Sequence, residues 1–223
     1  MRVEHIPLRR KVEVVFPKKL LTVLPGKVAL FTTTQYLHLL EGMKEQLEKA
    51  GKVVLLYKPR HTSKEGQVLG CSIQEWPDAE AFLYVGEGEF HPRALLFKNP
   101  QPVFRYDPLQ KKYQVFSKDD VSKIMKQHRG AMLKFMHAKV VGVLVSTKSG
   151  QKDNKAFSLL VERYPEKEFV PILYNTLDWG SLEDFPFVEV WVNTGCPRIG
   201  LDDYNKVKKP ILNAEHVLDN HHF

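Results

Sequence analysis

Gly26-Lys-Val-Ala-Leu-Phe-Thr-Thr-Thr34 is a short apolar run entered from a Pro25-Gly26 turn and ending in hydroxyls, the form of a buried strand. The period then changes. Leu37, Leu40, Met43 and Leu47 recur at three-to-four spacing, Glu41, Lys44, Glu45 and Glu48 face water, and Gly51 sits where a C-cap belongs, so an amphipathic helix follows. Val53 to Tyr57 reads as a second strand, Ala81 to Val85 as a third closed by the Gly86-Glu-Gly88 bend, and Pro102 to Tyr106 as a fourth closed by Asp107-Pro108. Strand, helix and strand in alternation imply parallel pairing. A helical stretch over 118–137, apolar at Val121, Ile124, Met125, Met132, Phe135 and Met136, leads out of this unit.

The pattern then restarts. Lys139-Val-Val-Gly-Val-Leu-Val-Ser-Thr147 has the same strand-into-hydroxyls form, and Gln151 echoes Gln35. Ala156 to Tyr164 supplies a helix, Glu168 to Tyr174 a second strand and Val188 to Asn193 a third, which makes an internal repeat. The expected architecture is therefore α/β, with two similar parallel-sheet domains in tandem over 26–137 and 138–223. Residues 1–25, where Val3 to Phe16 alternates loosely, read as a remnant strand and linker too short to fold alone.

With 223 residues, 43% hydrophobic and 26% charged, the chain is long enough for two small α/β units and too apolar to be mainly disordered. No apolar run approaches the roughly 20 residues that span a bilayer, and Met1 to Lys11 lacks the apolar core of an export signal, so a cytoplasmic address without a membrane partner is expected. Cys71 and Cys196, far apart in a chain with no export signal, argue against a disulfide framework and leave thiol chemistry or metal. The formal charge of +7 suits an acidic partner, but the basic residues are scattered and no aromatic-basic motif accompanies them, so no direct nucleic-acid contact is expected.

In open parallel sheets ligands gather at the carboxyl ends of strands, where this sequence places Thr32 to Gln35, Gly86 to Pro92, Ser146 to Gln151 and Asn193 to Ile199. Cys71 ends the loop Gly66-Gln-Val-Leu-Gly-Cys71, and Cys196 follows a strand in a Gly-Cys-Pro turn. Gly70 and Gly195 permit close approach of a cofactor, and Arg198 beside Cys196 favours thiolate. Two cysteines do not complete a zinc or cluster site, so a further ligand from histidine, substrate or a second chain is required. Among the histidines, His38 and His91 flank strand-end loops as candidate ligand contacts. His5, His61, His128, His137 and His216 read as surface residues and His221-His222 as a tail. Lys148 follows a strand as a phosphate-loop lysine does, but the Gly-x-x-x-x-Gly-Lys-Ser/Thr order is absent, and Gly86-Glu-Gly88 lacks the third glycine of a dinucleotide fingerprint.

Four ordered motifs, Gly66 to Cys71, Phe82 to Pro92, Val145 to Gln151 and Val192 to Ile199 followed by Asp202-Asp203, resemble those of the 2-(3-amino-3-carboxypropyl)histidine synthases of diphthamide biosynthesis. The resemblance runs from about Gly26 to Leu212 and takes in Thr32 to Gln35 and Lys208 to Leu212. It implies three similar α/β domains, each giving one cysteine to a [4Fe-4S] cluster that binds S-adenosylmethionine, with Cys71 the middle-domain ligand and Cys196 the C-terminal one. It further implies a radical transferase that moves the 3-amino-3-carboxypropyl group to the imidazole C2 of a histidine in translation elongation factor 2. Gln35, Lys148, Gly150, Gln151 and Arg198 are the expected cofactor contacts. The family's first domain and its cysteine are missing, so the resemblance calls for another chain that carries them, a longer parent protein, or a role as a homologous, non-catalytic or electron-delivering partner subunit. Gly195 stands where the family resemblance leads one to expect alanine.

Overall fold

The structure is a computed structural model that describes residues 8–151 and 153–219. The chain divides into two compact units, the first running to Val121 and the second beginning at Ser122. Each is built on its own sheet, and the first four strands of each have the same order, second-first-third-fourth.

In the first unit β1 (Lys27–Thr32) lies between β2 (Val53–Leu55) and β3 (Ala81–Val85), and β3 pairs with β4 (Val103–Asp107), all in parallel. Five of the six β1 residues and all of β3 are buried, as strands covered on both faces must be. One face packs Val28, Leu30, Leu83 and Val85 against Leu40, Met43 and Leu47 of helix α2 (Leu40–Lys49). The other carries an aromatic set in which Phe31 meets Tyr57, Trp76 and Phe82. Gly51 takes φ +77° at the end of α2, the left-handed C-cap that its position predicts.

The expectation of purely parallel sheets is corrected here. A fifth strand, β5 (Lys112–Phe116), returns antiparallel along β4 through the Asp107–Lys111 turn, where Lys111 has φ 53° and the Asp107 carboxylate accepts the Leu109 and Gln110 N–H groups. Its exposed, charged edge hid it in the sequence. The segment expected as a remnant strand also differs. Residues 3–7 lie outside the described residues, as do His5, His221 and His222, but 8–16 form no strand. Lys18–Val23 form helix α1, and Val14, Phe16, Leu20 and Leu24 are buried in the first core. Phe90–Leu96, expected as the end of a loop, form helix α3, with Pro92 in the first turn, where a missing N–H costs nothing.

Helix α4 (Asp119–His137) crosses the division at Val121. Its Ala131 and Phe135 enter the second core, and the compact units part within its first turn, between Val121 and Ser122. In the second unit β6 (Val140–Ser146) lies between β7 (Glu168–Tyr174) and β8 (Val190–Asn193), and β8 pairs with the three-residue β9 (Ile211–Asn213), all in parallel. Val141, Val143 and Val145 face Ala156 and Leu160 of helix α5 (Asn154–Arg163), whereas Leu144 faces Leu182, Val188 and Trp191 across the sheet. Asp153 caps α5 by accepting the Lys155 and Ala156 N–H groups at 3.0 and 3.1 Å. Two short helices close the unit, α6 (Arg198–Asp202) and α7 (Ala214–Leu218). His128 and His216, expected on the surface, are buried with His128 Nε2 2.7 Å from His216 Nδ1, and His216 Nε2 lies 3.3 Å from the Glu215 carboxylate. Among the described residues no helix is long and apolar enough to cross a membrane.

Candidate functional site

In the first unit Gln67 forms a parallel bridge with Thr32 at the end of β1, made by Thr32 N–H to the Gly66 carbonyl at 2.7 Å and Val68 N–H to the Thr32 carbonyl at 2.9 Å. The loop between β2 and β3 is thereby drawn to the carboxyl edge of the sheet. The Gln67 amide donates to Thr34 Oγ1 at 2.9 Å and accepts from Ser63 Oγ, also at 2.9 Å. Cys71 follows four residues later, half-buried, in a turn where Leu69 N–H donates to Ser72 Oγ and Ile73 N–H to the Cys71 carbonyl. The Phe90 ring, at the start of α3, lies over Gly70 so closely that a Cβ there would be 2.1 Å from Cε1. The same edge holds Gln35, exposed in the turn after β1, and His91, whose Nδ1 lies 3.4 Å from the Tyr84 hydroxyl. Burial first, then the Glu87 charge, raises the Tyr84 pKa well above the ordinary tyrosine value and keeps the hydroxyl protonated. His38 is exposed in a short 3-10 turn before α2.

In the second unit the carboxyl ends of β6, β7 and β8 meet at Gly195, where a Cβ would lie 2.4 Å from the Tyr174 hydroxyl and 3.2 Å from the Ser146 Cβ. Half-buried Cys196 follows directly. Asn193, the last residue of β8, accepts the Gly195 N–H at 3.1 Å and donates from Nδ2 to the Cys196 carbonyl at 2.9 Å. Lys148, Gly150 and Gln151 occupy the exposed turn after β6, closed by Gln151 N–H to the Lys148 carbonyl at 3.1 Å, with Gly150 at φ +78°. Lys148 N–H donates to Ser146 Oγ at 3.2 Å, so this turn and the Cys196 turn share one patch. Tyr174 titrates above its ordinary value, chiefly through burial; the Ser146 hydrogen bond opposes the shift and Cys196 adds to it. Arg198 is elsewhere engaged. It is buried, and its Nε and Nη2 both donate to the Asp202 carboxylate, the latter at 2.9 Å, a bidentate pair within α6.

The structure thus brings Gln35 and Cys71 to one strand edge and Lys148, Gly150, Gln151 and Cys196 to another. Neither cysteine is in a disulfide. Among the described residues no three His, Cys, Asp or Glu side chains gather to hold a metal. As donors the two thiols fit a thiolate-ligated centre that takes its remaining ligand from outside this set. Sequence reasoning does not single out Tyr174 or Asn213. Their partners come from neighbouring strands in register, and the only mark is an asparagine directly after Lys208 to Leu212.

The fold is that of an α/β protein with two sheet-based units, each presenting one half-buried cysteine at the carboxyl edge of its sheet. The chain belongs to the diphthamide synthesis proteins: the family described as "Putative diphthamide synthesis protein" matches residues 2–217. It is 35% identical over 196 residues to the 2-(3-amino-3-carboxypropyl)histidine synthase of Pyrococcus horikoshii, covering 86% of this chain and 56% of that protein. To the synthase of the same name from Methanocaldococcus jannaschii it is 32% identical over 193 residues, covering 85% of this chain and 50% of that protein. The crystal structure of Dph2 from Pyrococcus horikoshii with a 4Fe-4S cluster superposes with a TM-score of 0.74 at 29% identity, covering 90% of this chain and 58% of that one. The chain spans about half the length of the curated relatives it matches.

Proposed function

We propose that this chain is part of a cytoplasmic [4Fe-4S] enzyme that transfers the 3-amino-3-carboxypropyl group of S-adenosylmethionine to the imidazole C2 of a histidine in translation elongation factor 2, the first step of diphthamide synthesis. Cys71 and Cys196 each donate one thiolate to the cluster, and the third comes from outside these two units. The observation that carries this reading is that each unit delivers a half-buried cysteine to the carboxyl edge of its sheet, in a turn shaped by a glycine that admits a neighbouring ring or hydroxyl. When bound, the cluster supplies the electron that opens the bond between the sulfonium and the methionine γ-carbon.

The chain's own residues bind and orient. Lys148 stands exposed beside the Cys196 turn and neutralises a carboxylate there, while the amides of Gln151 and Gln35 donate to and accept from the amino acid part of the cofactor. Gly150, at φ +78°, lets the Lys148 turn close without a side chain in the way. Arg198 is committed to Asp202, so its contribution in this reading is to hold the helix that follows Cys196.

Anaerobic reconstitution with iron and sulfide, with and without a separately produced first domain of the family, tests the reading by iron counting and EPR of the reduced sample. A [4Fe-4S] signal that needs the added domain and disappears in Cys71→Ala or Cys196→Ala supports it. Absence of a cluster in both preparations overturns it in favour of a non-catalytic partner subunit.

A further inference from the structure

Asn193 and Asn213 are register partners at the ends of the adjacent strands β8 and β9. Both are buried, and their amides are joined by Asn193 Nδ2 donating to Asn213 Oδ1 at 2.9 Å. The remaining hydrogen-bonding capacity is turned on one short stretch of backbone. Asn193 takes the Gly195 N–H and gives a hydrogen bond to the Cys196 carbonyl, and its Oδ1 also lies 3.4 Å from the Tyr174 hydroxyl. Asn213 donates from Nδ2 to the Pro197 carbonyl at 2.6 Å and accepts the Gly200 N–H at 3.2 Å. The backbone is therefore held immediately before, at and immediately after Cys196. Each amide acts as donor and acceptor at once, which neither a carboxylate nor an apolar side chain can do.

Two features set this apart from ordinary satisfaction of buried polar groups. Asn213 occupies the N-cap position of α7, where an asparagine ordinarily turns its side-chain oxygen onto its own helix, yet it makes no such bond. Its amide is spent on the Cys196 turn instead. Gly200 complements it, since a Cβ there would lie 2.5 Å from Asn213 Oδ1. The three-residue β9 thus ends on a residue whose amide reaches the turn from the strand next to Asn193.

We infer that Asn193 and Asn213 are positioning residues that hold Cys196 in a preformed ligand geometry, a role that rests on Cys196 being a cluster ligand. The test uses the whole iron-free chain, so its result is independent of whether a cluster assembles. Alkylation of Cys196 and Cys71 by iodoacetamide is followed site by site by mass spectrometry well below the melting temperature, with Cys71 as the internal reference. In Asn213→Ala the Cys196 to Cys71 rate ratio rises at least about threefold while the Cys71 rate keeps its wild-type value, because only the Cys196 turn opens locally. A merely global loss of stability accelerates both sites together. A ratio unchanged in a folded Asn213→Ala protein overturns the inference. Should that variant fail to fold, hydrogen exchange in the wild-type chain decides: the Gly195 and Gly200 amides exchange at least about a hundredfold more slowly than unprotected glycine amides, and exchange at the unprotected rate overturns the brace.

Discussion

The two cysteines sit at like edges of like sheets and are held by different means. Around Cys71 the support combines the backbone bridge of Thr32 to the 66–68 segment, the Gln67 amide set between Thr34 and Ser63, and a local turn in which Ser72 N–H donates to the Leu69 carbonyl and Leu69 N–H to Ser72 Oγ. The ring that covers Gly70 belongs to half-exposed Phe90. Around Cys196 the support is a pair of buried amides from two strand ends, with the Tyr174 hydroxyl filling the space that Gly195 leaves. The difference follows from chain length. Cys196 lies three residues beyond β8, so a strand-end side chain reaches it directly, whereas Cys71 is in the middle of the long connection between β2 and β3, which meets the end of β1 through its 66–68 backbone and the Gln67 amide.

Beneath the edges the two sheets use equivalent partners, and the largest expected effect comes from exchanging them. Ala29 on β1 is opposite Phe82, and Gly142 on β6 is opposite Trp191. A Cβ on Gly142 would lie 2.2 Å from Trp191 Cζ3 and 2.9 Å from a Val188 methyl, and the indole is fully buried and unable to swing away. Gly142→Ala is expected to cost about 3 kcal/mol in denaturant unfolding, the upper part of the overpacking range. Adding Trp191→Phe, which gives the second unit the small-and-large pair of the first, recovers part of that loss. If the double variant is no more stable than the single one, the two positions are not equivalent.

At the edges the comparison predicts unequal sensitivity. Asn193→Ala leaves the Gly195 N–H, the Cys196 carbonyl and the Asn213 amide short of partners and is expected to cost about 2–3 kcal/mol. Ser72→Ala removes one acceptor from the Cys71 turn and costs about 1 kcal/mol. Equal losses in thermal or chemical unfolding would remove the distinction between the two turns.

What the sequence showed and hid follows the same physics. The central strands β1, β3, β6 and β8 were legible because a strand in mid-sheet is a continuous or β-branched apolar run, and α2 because its apolar residues keep helical spacing. Strands β5 and β9 were not. One is an exposed polar edge and the other only three residues long, so neither carries a period. Cys71 and Cys196 stood out through their glycine-flanked motifs. Asn213 and the His128–His216 pair did not, because their roles depend on residues that only the folded register or packing brings near. The ion pair of Arg198 with Asp202 was within reach, since four-residue spacing on a helix is readable, but it required knowing that α6 begins at Arg198.

The glycines before the cysteines separate the two turns more finely. Gly195→Ala drives a Cβ against the Tyr174 hydroxyl and is expected to cost about 1–2 kcal/mol, relieved in large part by Tyr174→Phe, which removes the clashing oxygen. Gly70→Ala drives a Cβ against the half-exposed Phe90 ring, whose displacement into solvent costs less than moving a packed hydroxyl, so its effect is expected to be the smaller of the two, about 0.5 kcal/mol. A double-mutant cycle on Gly195 and Tyr174 with no coupling would show that the turn relaxes by another route.

The smallest effect concerns the opposite edge, where the two units share a latch. Glu80 precedes β3 and accepts the Lys27 N–H at 3.0 Å; Glu189 precedes β8 and accepts the Lys139 and Val140 N–H groups at 2.7 and 3.1 Å, with Lys134 Nζ at 3.1 Å. The two backbone N–H bonds, then the lysine, hold Glu189 at a pKa of about 2, below its ordinary 4.5. A carboxylate whose folded pKa lies below its unfolded one stabilises fully above the unfolded value, and its contribution fades as pH falls from 4.5 towards about 2. Glu189→Gln is therefore expected to flatten the melting temperature against pH across that window and to leave the shape unchanged above it. A profile of wild-type slope in the variant would assign the acid sensitivity of the second unit to other carboxylates and leave the latch as geometry alone.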